Sequence, residues 1–396
     1  MNTYNFVIDG NEANTPSRVG SNIYAFKILE SLFKIISTRT DIAITVVLAS
    51  EPVVDMPNET LNWSYKVVQP TRFWTQWALP LHLFLHKNTY DVFYTPGHYA
   101  PRLCPIPSVS SVMDTAYLEY PDQFKKTDTL KLTEWTKYSV QNAKKVIAIS
   151  EFTKKCVTTS YKKAPKDVIV AYPGTTTTQF KISATFRKKT LRKFKIKKPY
   201  ILFVGTLQPR KNIVNLVEAY ETFVRLVASR TLPPKGKKPT SKQTPNLVLA
   251  GKTGWLADPI EKRITNSPLQ KHIIQTGFVT NKEKQVLYEE AFTSTLMGLF
   301  EGFGIPPLES LYYGTPVVVS NTTSLPEVVG DAGLLANPLD PNDIAEKMYE
   351  VYTATARQKL IWKRRGIAQT KLFSWETSAQ IILETLLSVA DETNTN

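Results

Sequence analysis

Glu301-Gly302-Phe303-Gly304-Ile305-Pro306-Pro307-Leu308-Glu309-Ser310-Leu311-Tyr312-Tyr313-Gly314 decides how the rest of the chain is read. Gly302 and Gly304 lack a Cβ, so the backbone is free to turn at positive φ and to approach a ligand closely. Pro306 and Pro307 preset φ for a first helical turn, and the start of such a helix attracts phosphate. Gly314 is placed to end the helix in a left-handed cap, and Thr315-Pro316-Val317-Val318-Val319 reads as a short buried strand of a parallel sheet. Glu301 therefore falls on a loop and Glu309 on a helix, and the two acids do not share a helix face.

Outward from this stretch the chain alternates β-rich and helical segments, the pattern of parallel sheets covered on both faces. In the first half, strands are expected near 4–8, 42–49, 65–68, 91–94, 108–113, 146–149 and 168–172, with crossover helices at 21–36, 129–143 and 152–160. Ser150 follows an apolar run and suits a helix N-cap. The alternation breaks at 173–199, read as an interdomain linker. It resumes with a strand at 200–204, a helix at 213–229, strands at 247–250, 273–275 and 295–299 and a helix at 282–291. Ser324 and Glu327 have capping-box spacing, Asp340-Pro341 opens a helix, and Trp375 begins a last one.

With 396 residues, two domains are expected: 1–180, and 181–374 with the helix 375–396 packing back on the first. The longest nearly apolar run, 77–85, is too short to span a bilayer, and no charged-then-apolar leader opens the chain, so a cytoplasmic protein is expected. Cys104 and Cys156 stand outside any metal spacing and read as reduced thiols. The net charge of +15 is concentrated: 181–198 holds nine basic residues and no acid, and 230–242 five more. Such clustering argues against a broad face for nucleic acid. Solvated linker and loop are the preferred reading of these runs, a membrane-surface patch the competing one.

Gly205-Thr206-Leu207-Gln208-Pro209-Arg210-Lys211-Asn212 follows a strand and precedes a helix, the position where open α/β sheets bind ligands. It matches neither the Walker spacing nor the dinucleotide fingerprint. What it offers is a guanidinium that forks onto two phosphate oxygens and an adjacent ammonium. His82 and His86, at i, i+4 without a third ligand, read as helix packing rather than a zinc pair. Trp74 and Trp77, beside Leu79, Leu81 and Leu83, read as a packing stripe rather than a lipid-binding face.

These two stretches, about ninety residues apart and followed by Ser320-Asn321-Thr322-Thr323-Ser324-Leu325-Pro326-Glu327, closely resemble the retaining glycosyltransferases of family four, bacterial mannosyltransferase-like members above all. Arg18-Val19-Gly20-Ser21-Asn22, Tyr94-Thr95-Pro96-Gly97-His98 and Ser150-Glu151-Phe152-Thr153 extend the likeness over the first half. The resemblance implies an α/β protein of the GT-B type, two Rossmann-like domains with parallel sheets facing across a cleft. It implies a nucleotide-diphosphate sugar as donor, GDP-mannose before UDP-glucose, and a hydroxyl of a glycan or lipid-linked acceptor in envelope polysaccharide synthesis. Metal and other cofactors are not expected, nor is nucleic acid as a partner; peripheral association with the inner face of the membrane is the alternative kept beside a plain cytoplasmic location.

By the same resemblance Arg210 and Lys211 hold the diphosphate, Glu309 the ribose, and Glu301 the sugar hydroxyls. Gly205 and the backbone of Gly302, Phe303, Gly304 and Ile305 line the donor, and Gly20 approaches the phosphates. Asp114 is a polar contact for the reaction, and His98 lines the acceptor side. Two departures stand out. Met113 occupies the place of a usual histidine, which motivates the alternative of a degenerate, non-catalytic relative. Met297-Gly298 replaces Pro-Ser, with only local repacking expected.

Overall fold

The computed structural model describes residues 4–97, 99–124, 126–175, 178–230 and 244–394. His98 and the basic stretch 231–243 lie outside the described residues.

The chain divides into two compact units, Met1–Gly174 with Phe373–Asn396, and Thr175–Leu372. In the first, β1 (Tyr4–Asp9), β2 (Ile42–Leu48), β3 (Trp63–Val67), β4 (Val92–Thr95), β5 (Ser108–Val112), β6 (Lys145–Ala148) and β7 (Val168–Val170) form one sheet in the order β3-β2-β1-β4-β5-β6-β7. Every pairing is parallel. Parallel strands need covered faces, and Phe6, Val7, Val92, Phe93, Val109 and Val146 are fully buried as that demands. Helix Glu151–Tyr161 starts where the sequence places it, with Ser150 Oγ accepting from the Thr153 N–H.

The last helix, Trp375–Asn394, belongs to this first unit and lies along helix Ser21–Ile36. Trp375 meets the Tyr24 ring edge-on at 5.8 Å, and the Ser378 hydroxyl donates to the Tyr172 carbonyl. At Gly174 any Cβ would come within 2.5 Å of the Trp375 amide, so a glycine is required at that crossing.

The second unit repeats the plan with β8 (Tyr200–Val204), β9 (Asn246–Ala250), β10 (Ile273–Gly277), β11 (Thr293–Leu296), β12 (Val317–Ser320) and β13 (Gly333–Ala336), ordered β10-β9-β8-β11-β12-β13 and parallel throughout. Val317, Val318 and Val319 have no exposed surface, and each such side chain is worth about 1.5–3 kcal/mol of transfer free energy as an upper bound. Strand β13 and the helix Ala356–Thr370 are additions to the elements expected from pattern. The supposed linker also carries structure: helix Ala184–Lys193, capped by Ser183, docks in the second unit. Its basic run is partly spent on acids, Arg187 on Glu289 at 2.5 Å and Glu290 at 3.1 Å, Lys193 on Glu283 at 2.6 Å. Among the described residues no helix is long and apolar enough to cross a membrane.

Candidate functional site

The chain leaves β8, adds β9 and β10 on one side, then returns to place β11 on the other. The strand order reverses between β8 and β11, and at such a switch point the two following loops part and open a crevice at the carboxyl ends of the strands. Both motif loops sit there. The loop after β8 carries Arg210 and Lys211, that after β11 carries Glu301, and the Leu299 N–H donates to the Arg210 carbonyl at 2.9 Å, tying one loop to the other.

Side chains complete the junction. Lys211 Nζ lies 2.7 and 2.8 Å from the two carboxylate oxygens of Glu301, and both groups are largely buried. Arg210 Nη1 donates to the Phe300 carbonyl at 3.3 Å and stands 3.9 Å from Glu301. Gly298 makes room for this arrangement, since a Cβ there would fall 2.4 Å from the Glu301 carboxylate. The Met297-Gly298 departure therefore bears directly on the position of the Glu301 side chain.

The loop 301–304 is held from the segment after β12. The Ser324 hydroxyl lies 2.8 Å from the Glu301 carbonyl and 2.6 Å from that of Phe303, and Ser320 Oγ donates to the Gly298 carbonyl at 2.8 Å. Ser324 makes no side-chain cap to the helix Leu325–Val329 that follows it. The capping-box expectation fails: Ser324 takes helical φ/ψ rather than the extended backbone of a capping residue, and its hydroxyl is turned to the loop carbonyls. Gly304 takes φ 119° and Gly314 φ 76°, conformations that a side chain would strain. A Cβ at 304 would also meet Leu325 at 2.6 Å.

Helix Ile305–Tyr312 starts at Gly304. Pro306 and Pro307 carry no N–H, and that of Leu308 donates to the Gly304 carbonyl at 3.3 Å. Ile305 is thus the residue of the first turn with an N–H to offer an anion, fewer donors than an ordinary helix start provides. Glu309, one turn on, is buried and paired: Lys284 Nζ approaches it at 2.5 Å and the Tyr288 hydroxyl donates at 3.3 Å. Burial and the adjacent carboxylate hold the Tyr288 hydroxyl well above the usual phenol range. Sequence reasoning missed Lys284 and Tyr288, although their i, i+4 spacing on helix Asn281–Glu290 places both on one face. It missed Gly251 as well, where φ is 157° and a Cβ would collide with the Gly205 carbonyl at 1.9 Å. Glycine at 251 lets the end of β9 close up on the backbone that follows β8.

Of the remaining expected residues, Gly20 caps helix Ser21–Ile36 at φ 55° in the first unit. Asp114 follows β5 there and accepts from the Ala116 N–H at 3.2 Å. His82 and His86 stack with ring centroids 4.3 Å apart, and among the described residues no group of three or more His, Cys, Asp or Glu comes together as a metal site. A cavity of about 920 Å³ opens at the opposite edge of the second sheet, by Tyr313, Thr315, Pro316 and Lys363, away from Arg210 and Glu301.

Comparison with known proteins matches residues 186–365 to the family described as glycosyl transferases group 1. O-antigen chain mannosyltransferase B of Escherichia coli is 30% identical over 322 residues, 79% of this chain and 76% of its own. O-antigen chain mannosyltransferase RfbU of Salmonella typhimurium is 25% identical over 73% of each chain. Among solved structures, sucrose-phosphate synthase from Thermosynechococcus elongatus superposes with a TM-score of 0.69 over 98% of this chain and 99% of its own, at 17% identity.

Proposed function

The chain belongs to the group 1 glycosyltransferases, and from that premise we propose a retaining, metal-independent transfer of mannose from GDP-mannose to a hydroxyl of a glycan or lipid-linked glycan of the cell envelope. The relatives named as O-antigen chain mannosyltransferases support mannose as the sugar and a polysaccharide as the product. UDP-glucose is the second donor to test. A cytoplasmic location at the membrane's inner face belongs to the same proposal.

The observation that carries it is the convergence of Arg210, Lys211 and Glu301 at the β8/β11 switch point. In the reaction the bond from the anomeric carbon to the diphosphate breaks, and the acceptor oxygen forms its bond on the same face. The acceptor's proton passes to a phosphate oxygen. The protein's share is to stabilise charge on the departing diphosphate, a part this reading gives to the Arg210 guanidinium, the Lys211 ammonium and the Ile305 N–H. Glu309 accepts from the ribose hydroxyls and Glu301 from those of the sugar; neither is a general acid. Gly20 and Asp114 keep their assignments, phosphate approach and polar contact, as parts of this proposal.

Nucleotide release over a donor panel in EDTA tests the reading. Turnover of GDP-mannose in the chelator, lost in Arg210→Ala and in Glu309→Ala, supports it. Turnover unchanged in both variants, or a strict need for divalent metal, overturns the corresponding part.

A further inference from the structure

The segment Phe73 to Leu85 runs through a π-helical turn, Trp74–Ala78, into the helix Leu79–Leu85. Its only polar residues are Thr75, Gln76 and His82, too few for the polar face that an ordinary surface helix carries. Here only one side is covered. Trp74 (5% exposed), Ala78, Leu79 and Leu83 pack on Val7, Val47 and Phe93 of the first sheet. The opposite side presents Phe73, Trp77, Leu81, Phe84 and Leu85 to solvent, with Trp77 at 73% and Leu85 at 68%.

The polarity is inverted as well. The helix's one ionisable side chain, His82, is turned inward at 7% exposure, where burial pushes its pKa down to about 4. A water-facing helix does the reverse. The Trp74/Trp77 stripe is thus split by the π turn into one core ring and one surface ring, correcting the expectation that both are packing.

Charge at the margins names the occupant. Arg72 sits 5.0 Å over the Phe73 ring and Lys87 5.2 Å over that of Phe84, cations drawn along the edge of the apolar face. Between residues 60 and 113 Asp91 is the only acid, and its carboxylate is taken by the Asn5 N–H at 2.7 Å. An apolar ridge with a cation at each end and no Asp or Glu in the chain between Arg72 and Lys87 suits a phospholipid surface with anionic headgroups. A second protein copy would present the same two cations to themselves.

We propose that the ridge formed by Phe73, Trp77, Leu81, Phe84 and Leu85 inserts into the interfacial layer of an anionic bilayer, Arg72 and Lys87 meeting the phosphates. This deepens the membrane association suggested above but stands on the surface alone, independent of which sugar is transferred.

The test is sedimentation of the full chain with phosphatidylcholine vesicles with and without phosphatidylglycerol. Binding is expected only with the anionic lipid, falling at least about tenfold in Trp77→Glu/Leu81→Glu and losing its lipid preference in Arg72→Gln/Lys87→Gln. Brominated acyl chains should quench Trp77 in the wild type and not in Trp77→Phe, which still binds. Donor turnover in solution is expected to be unchanged in these variants, so failure of the transferase reading and failure of this one are separately visible. Vesicle binding that is absent, or equal in wild type and Trp77→Glu/Leu81→Glu, overturns the proposal. So does a wild-type dimer that this variant converts to monomer without any vesicle binding.

Discussion

The two sheets share an architecture and differ in what they place at their carboxyl edges. At the second, acids meet cations: Glu301 is paired with Lys211 at 2.7 Å and Glu309 with Lys284 at 2.5 Å, both carboxylates buried. At the first, Asp9 ends β1 beside the equivalent switch point with β4, and its described partner is the Asn11 N–H at 3.0 Å. Desolvation, with Glu12 nearby, pushes the Asp9 carboxyl up to about 7. One edge holds full charges in fixed pairs; the other keeps a carboxyl near the balance point of its proton.

The hardest test of this contrast is loss of the cationic edge. Arg210→Ala is expected to lower donor turnover by about a hundredfold or more, read by nucleotide release, because a positioned charge on a departing anion is lost. Next is stability. Lys284→Met leaves Glu309 buried without a cation and is expected to cost about 3 kcal/mol in urea unfolding, with much of it regained in Lys284→Met/Glu309→Gln. If Lys284→Met alone is neutral, the pair is not holding the edge.

The first edge sharpens the comparison through pH. Its fold prefers the neutral Asp9, so unfolding between the ordinary carboxylate range and about pH 7 releases a proton. That contribution is fully present below the ordinary carboxylate pKa and is lost as pH rises to about 7, at up to ~1.4 kcal/mol per unit. Asp9→Asn should flatten this slope in melts from acid to neutral pH; a slope that persists assigns it to another group. Smallest is Gly298→Ala, whose Cβ displaces the Glu301 carboxylate from Lys211. A loss of about 1 kcal/mol and a several-fold fall in turnover are expected, and a crystal structure of the variant would show whether Glu301 has moved.

Much of this was legible in the sequence because its signals are local. Buried parallel strands are short apolar runs rich in β-branched and aromatic residues, and 200–204 and 317–319 announce themselves that way. β13, Gly-Leu-Leu-Ala, is four residues with little branching and carries no such signal. Basic 181–198 reads as linker from composition, yet its partners Glu283, Glu289 and Glu290 lie about ninety to a hundred residues away and fix part of it as a helix.

The sequence by itself determined two α/β units, the glycine and prolines that set the turn into the helix Ile305–Tyr312, and two motifs that resemble those of sugar-nucleotide enzymes. The first two follow from covalent geometry and periodicity within a few residues, and the third from likeness to a known family. Only the tertiary structure decided where each charge is answered and which way each ring faces. Lys211 finds Glu301 across ninety residues, Lys284 finds Glu309, and Ser324 holds two carbonyls instead of a helix start. A π-helical turn sends Trp74 into the core and Trp77 out of it. Pairing and burial are set by elements packed together in space, and such contacts leave no spacing rule in the chain.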